Sequence, residues 1–386
     1  MTLVIDYSSG IFEATPSGET VGTVTGNATL DLTSGNLFNH TPTANTTFVF
    51  SNPPTTGSAY DMTLKVVGAN VTAGYDIANA SYDSKDFSPS EDTNVRDIAF
   101  KDDGTKLYVV GSQNDKVYQY SLSTAYDIST TSYDSTSFLV SSQSTLPMGL
   151  SFKTDGTRMF IFDYNNSIVY QYNLSTAWDV STASYSNTSF TLSGGTDGFD
   201  LDFSTDGTKF IVTFRGTGNK VVLYNLSTAW DISTASFGSE KDVNAQTGTF
   251  PVGGTLNADG TKMFVANYST KDVYQYSLST AFDLSTASYD SISFQITSLF
   301  SNPSHLGLAF NSDGTKMYSV AGGGNRITQY TTGSSALATL TYPSSVKWAG
   351  GTAPSAPANG NKDVYNFFTI DGGTTYYGFQ AGDAMA

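Results

Sequence analysis

The stretch YQYSLSTAYDIST occupies residues 118–130 and returns three times. It reads YQYNLSTAWDVST at 170–182, LYNLSTAWDIST at 223–234 and YQYSLSTAFDLST at 274–286. A shorter copy, YDIANASYD, begins at Tyr75. The aspartate of this motif stands at Asp76, Asp127, Asp179, Asp231 and Asp283, in steps of 51, 52, 52 and 52 residues. A second motif keeps the same beat. The segments KDDGTKLYVV, KTDGTRMFIF, STDGTKFIV, NADGTKMFVA and NSDGTKMYSV place glycines at Gly104, Gly156, Gly207, Gly260 and Gly314, in steps of 52, 51, 53 and 54. A period near fifty residues signals a solenoid or a propeller.

The pattern within each period selects the propeller. Short apolar runs alternate with turn residues, and no run has a helical period. A run ending in Phe100, Phe152, Phe203, Leu256 or Phe310 precedes each Asp-Gly-Thr. Asp-Gly suits a tight hairpin, because glycine accepts positive φ. A second run follows, then VYQY, then a fourth in SYDSTSF and its equivalents. Four antiparallel strands per repeat make a propeller blade. LSTAYDIST is read as link and outer strand. The first copy (75–87) is an outer piece alone, and the last, ending at Tyr330, lacks one. Joined, they complete a fifth blade and close the ring, which removes exposed sheet edges. The expected fold is all-β: a five-bladed β-propeller over 73–333, inserted into a β-sandwich-like domain split between 1–72 and 334–386. In the split domain, a hairpin is expected around Asp371-Gly372-Gly373.

Composition narrows the function classes. The chain has 386 residues, 13% aromatic and only 13% charged, with a net charge of −16 and a pI near 4.3. That balance repels nucleic-acid phosphates. The four arginines, Arg96, Arg158, Arg215 and Arg326, are scattered. With no cysteine there is no disulfide framework and no thiolate metal site. The first residues, MTLVIDYSSG, do not have the pattern of a signal peptide. No window is apolar enough for a membrane-spanning helix.

Two resemblances follow from the motifs. The Asp-Gly-Thr segments resemble the WD40-like repeats of TolB-type propellers over about ten residues per blade. Outside the repeats, GNATLDLTSGNLFNHTPTANTTFVFSNPP (26–54), VKWAGGTAP (346–354) and DGGTTYYGF (371–379) resemble a β-domain of tailed-bacteriophage virion proteins, including tail fibres. That resemblance implies a virion structural protein, located on the particle surface. It would form a tail fibre or other appendage and present its propeller to the host. Capsid decoration (a cement protein) and a secreted carbohydrate-binding lectin are the alternatives, and a glycan-cleaving depolymerase is a further rival. The partners implied are other virion proteins, further copies of the chain (a trimer is the guess) and a host-surface glycan or protein. The aromatics of the flanking segments, Trp348, Phe367, Phe368, Tyr376, Tyr377 and Phe379, are expected either to fill the core together or to supply part of an oligomer interface.

Candidates for chemistry are few, and the chain is expected to be no enzyme, with no catalytic, cofactor or metal residues. His40 and His305 fall in different expected domains. Glu13, Glu19, Glu91 and Glu240 hold no repeated position and do not form the carboxylate pair that glycoside hydrolysis needs. The sialidase Asp-box, with its terminal tryptophan, is absent. Arg158 takes the place of Lys106, Lys209, Lys262 and Lys316, so it reads as a turn residue. The strongest exception is Asp97 and Asp200. They share an inner-strand position that is Gly149, Gly253 and Gly307 in the other repeats. Asp202 is close by, and such carboxylates on the channel suit a hard cation. No Asp-Gly loop has the spacing of an EF-hand. The Asn-x-Ser/Thr sequons, such as the one at Asn173, are the number a Ser/Thr-rich chain carries by chance.

Overall fold

The computed structural model describes residues 2–6, 11–15, 19–20, 26–42, 45–68, 70–216, 218–296, 305–322 and 324–385. Two compact units emerge: Met1–Ala73 with Ser334–Ala386, and Gly74–Gly333.

The second unit is a five-bladed β-propeller. Blade 1 runs from the channel outward as Val95–Phe100, Lys106–Gly111, Lys116–Leu122 and Thr131–Leu139. Blades 2, 3 and 4 begin at Pro147–Phe152, Gly198–Phe203 and Pro251–Leu256. Blade 5 takes its three inner strands, His305–Phe310, Lys316–Gly322 and Arg326–Thr331, from the end of the repeat region. Its outer strand, Ser81–Phe87, comes from the beginning. Ile327 pairs with Phe87 and Tyr330 with Tyr82, so the ring closes as the split repeat requires. Inner strands of blades 1 to 4 carry bulges, and Asp200 sits at one with φ +63.

The repeated dozen residues hold this ring in two ways. After the third strand the chain turns, caps a short 3-10 helix with the motif aspartate, and only then starts the outer strand. Ser123–Asp127 is therefore the link, between the strand end at Leu122 and the 3-10 turn at Ile128, where Asp127 commits its carboxylate to the Ser129 amide. The aromatic before that aspartate takes a positive φ, between 57 and 65 at Tyr75, Tyr126, Trp178, Trp230 and Phe282. Its ring lies flat on the Asp-Gly-Thr glycine of its own blade. A Cβ on Gly156 would stand 2.4 Å from the Trp178 ring. The backbones join at the same point, Trp178 N donating to Gly156 O at 3.0 Å. This contact couples the two motifs, so their spacing is held in every blade. The Asp-Gly hairpin is wider than expected: residues 101–105 link the strands, and Gly104 closes the turn onto Lys101 O.

The second device crosses between blades. The amide after the motif aspartate donates to the VYQY glutamine of the preceding blade: Val180 to Gln119, Ile232 to Gln171, Ile77 to Gln275 and Ile128 to Gln329. In three blades the glutamine amide is oriented by the aspartate of SYD or its equivalent, through Asp134, Asp290 and Asp83. Blade 3 has Leu223 instead of glutamine. There Ser239 accepts the Leu284 amide at 3.0 Å.

The first unit contains a six-stranded sheet and a three-stranded sheet. One hydrophobic cluster draws on both, with Leu30 and Phe48 from the smaller and Phe38, Leu64, Tyr365 and Phe367 from the larger. Lys362–Thr369 and Tyr376–Met385 pair antiparallel around the expected Asp371-Gly372-Gly373 turn. The six flanking aromatics sort by strand alternation. Phe367 and Tyr376 are buried and Trp348 packs against the core. Phe368, Tyr377 and Phe379 are exposed at 40%, 42% and 42%, with Phe368 stacked on Tyr377.

Candidate functional site

The Asp-Gly-Thr ends of the five inner strands surround a cavity of about 320 Å³. Its collar is apolar: Phe100, Phe152, Phe203, Leu256 and Phe310, one residue from each blade. The collar side chains are fixed from behind, since Phe152 stacks on Trp178 at 5.5 Å and Phe203 on Trp230 at 5.4 Å. The motif aromatics thus have one face on glycine and the other on the collar. The floor of the funnel is acidic and holds Asp97, Asp200 and Asp202.

Those carboxyls are tied into the sheet edges. Asp97 accepts from the Ile98 amide at 2.7 Å and from Leu150, in blade 2, at 2.7 Å. Asp200 accepts from Leu201 at 2.9 Å and from Gly254, in blade 4, at 3.1 Å. Asp202 accepts from the Thr255 hydroxyl at 2.7 Å. Asp97 and Asp200, from blades 1 and 3, line the same cavity. Burial and then the Asp200 charge push the Asp97 carboxyl well above the usual range, and burial and then the Asp202 charge raise Asp200. Burial raises Asp202 to about 6.

The sequence placed Asp97 and Asp200 near the channel, and the structure sets both on the floor of one cavity. Asp202 turns toward blade 4. Among the described residues no group of three His, Asp or Glu side chains is arranged to hold a metal ion. His40 is buried in the first unit beside Thr46 and Phe48. The side chains of His305, Glu13 and Glu19 lie outside the described residues. Glu91 accepts from Tyr120, and Glu240 pairs with Lys220. Arg158 donates to the carbonyl of Trp230 in the next blade. The apolar collar was missed in the sequence reading. Its signal was present, as five aromatic or leucine residues each four places before an Asp-Gly-Thr glycine.

No family model matches the chain, and no curated protein does. Solved structures do. A putative 6-phosphogluconolactonase of Bacteroides uniformis shares 13% identity, with 62% of this chain and 68% of that one covered and a TM-score of 0.40. The periplasmic gluconolactonase PpgL of Pseudomonas aeruginosa shares 18%, covering 53% and 55%, at 0.35. The Cps50 (Swd1) β-propeller domain of Myceliophteria thermophila shares 8%, covering 65% and 99%, at 0.38. These likenesses concern the propeller fold, which the sheet topology establishes independently. They correct one expectation. With gluconolactonase descriptions among the neighbours, the reading of this chain as no enzyme does not stand. At these scores the neighbours supply no substrate or catalytic residue.

Proposed function

We propose that this chain is a surface recognition protein of the virion-appendage type, whose propeller takes a saccharide ligand in the collar-and-carboxyl funnel. The observation that carries the proposal is the funnel itself: an apolar collar, one residue from each blade, over hydrogen-bond-accepting carboxyls. A sugar ring has apolar C–H faces for such a collar, and its hydroxyls can donate to Asp202, the partly exposed carboxyl of the floor. Acids at the floor disfavour an anionic ligand. Binding sites of this size are typically concave and largely apolar, with a few convergent polar groups.

The particle setting is supported by the flanking sequences that resemble tailed-phage β-domains. In this reading the first unit docks to other virion proteins and to further copies of the chain, and the propeller contacts the host surface. The test uses purified particles and the full chain. Antibody against the chain should decorate intact particles, and labelled chain should bind host envelope glycans. Unlabelled particles with retained glycan binding would leave a free lectin. Decorated particles with no glycan binding would leave a decoration protein. Either result overturns the combined reading. New reducing ends after incubation would make the funnel a depolymerase site.

A further inference from the structure

We infer that the opposite mouth of the propeller holds a second ligand site, where the Arg215 guanidinium, clamped between the Phe199 and Tyr268 rings, takes the carboxylate of an acidic sugar whose ring lies against Phe250. The site is separate from the funnel and does not depend on the funnel's reading.

The register of the blades builds it. The second strands of blades 2, 3 and 4 are Arg158–Asp163, Lys209–Phe214 and Lys262–Asn267. The residue after each is Tyr164, Arg215 and Tyr268, so one position repeated in three adjacent blades reads Tyr, Arg, Tyr. Gly198 pairs with Phe214, which puts these residues at the end of the inner strands away from the Asp-Gly-Thr turns. The Arg215 backbone is fixed there, its amide donating to the Asp197 carbonyl at 3.0 Å.

The side chain is held by rings. The guanidinium carbon stands 4.9 Å from the Phe199 ring centre and 5.6 Å from that of Tyr268, in the next blade. Stacking of this kind holds a guanidinium in one plane and leaves its donor edge for an oxyanion. The other three arginines each meet a protein oxygen: Arg96 at Ser112, Arg158 at the Trp230 carbonyl and Arg326 at Asp86. Among the described residues Arg215 makes no ion pair. The acids of its own blade nearby are engaged, Asp197 by the Tyr164 hydroxyl at 2.9 Å and Asp200 by two backbone amides. Tyr164 borders Arg215 on the blade 2 side. A guanidinium has five donors, so one hydroxyl neighbour leaves enough of them for a bidentate grip on a carboxylate.

The sugar ring has its platform beside the charge. Phe250 meets Tyr268 edge to face at 4.9 Å and is 36% exposed. An uncharged C–H face can cover it while the carboxylate reaches Arg215. Uronates and sialates share this chemistry.

The test uses the full chain labelled with nitrogen-15 at arginine. Trigalacturonate and 3′-sialyllactose are titrated separately, with maltotriose, lactose and inorganic phosphate as controls. At least one acidic sugar should shift the Arg215 Nε–H signal, and the neutral sugars should not. Its affinity should fall by about tenfold or more in Arg215→Lys, which keeps the charge and loses the planar fork. It should fall also in Phe250→Ser, which removes an exposed ring and serves as the second variant should Arg215→Lys not fold. Leu256→Arg, in the funnel, should leave it unchanged, so failure here and failure of the funnel reading are told apart. The inference is overturned if neither acidic sugar moves the Arg215 signal, if phosphate binds as tightly as the sugars, if a folded Arg215→Lys or Phe250→Ser keeps the full affinity, or if Leu256→Arg abolishes the binding.

Discussion

The side-chain oxygen of Gln119 accepts the Val180 amide at 3.2 Å, from one blade to the next. Gln119 is 6% exposed and its amide nitrogen is held by Asp134 at 2.9 Å, so the oxygen can face only the neighbouring blade. The same bond recurs at three more seams. A ring built this way closes by repeating one short-range interaction, and that is why one motif is written so many times.

Gln119→Ala should therefore leave the Val180 amide buried without an acceptor. A cost of about 1–3 kcal/mol is expected for such a group. Urea unfolding should show a lower midpoint with an unchanged slope. An unchanged midpoint would mean that the seam does not depend on this bond.

Gly156→Ala and Gly350→Ala separate crowding from backbone strain. Both glycines have positive φ, at +72 and +81. A Cβ at Gly350 meets nothing within 4 Å, whereas at Gly156 it meets the Trp178 ring at 2.4 Å. Gly350→Ala should cost about 1 kcal/mol, and Gly156→Ala at least about twice that, because Trp178 must move. Equal costs in thermal unfolding would show that the ring-on-glycine contact adds nothing.

Stability should peak in mildly acidic solution. Asp103 and Asp155 are lowered to about 2, the first chiefly by its hydrogen bond from Lys101 and the second by bonds from Lys153 and Thr157 that outweigh burial. Their contribution is present above pH 4 and lost as pH falls toward 2. Asp202, raised by burial to about 6, acts in the opposite sense, losing its contribution as pH rises from 4 through 6. Calorimetry from pH 2 to pH 8 should find the highest melting temperature near pH 4–5. A maximum at pH 7 or above would contradict these assignments.

The exposed aromatics of the first unit test its assembly role. Phe368, Tyr377 and Phe379 lie in adjacent strands, with Phe368 opposite Tyr377 in register. If copies of the chain associate through this face, replacing all three with serine should lower the mass measured by light scattering to that of a monomer. Aromatic residues are enriched at such interfaces. A wild-type monomer, or an oligomer unaffected by the substitution, would remove the proposal.

Much of the propeller is legible in the sequence because each blade repeats its own chemistry. Tyr75 and Tyr330 open and end the split repeat, and their offset alone requires closure through Ser81–Phe87. The acidic floor is different. Two inner-strand aspartates 103 positions apart reveal a shared slot, but only the ring geometry shows that the first and third blades bring that slot to one cavity. The funnel collar was hidden for another reason. A phenylalanine at a strand end reads as core, and Phe152 and Phe203, 8% and 9% exposed, are nearly that. Their opening to a cavity arises from five strand ends converging, which no single repeat encodes.

If ligand enters between the collar residues, Leu256→Arg blocks its path. Leu256 is the collar position of blade 4 and is partly buried, so a longer charged side chain can extend into the opening without displacing a packed aromatic. Glycan-array binding of the full chain should be measured for the wild type and for this variant, with melting temperatures compared as the control for folding. Loss of at least tenfold in affinity for the bound saccharide, at an unchanged melting temperature, is the expected result. Equal affinity in a folded variant would place recognition elsewhere on the protein.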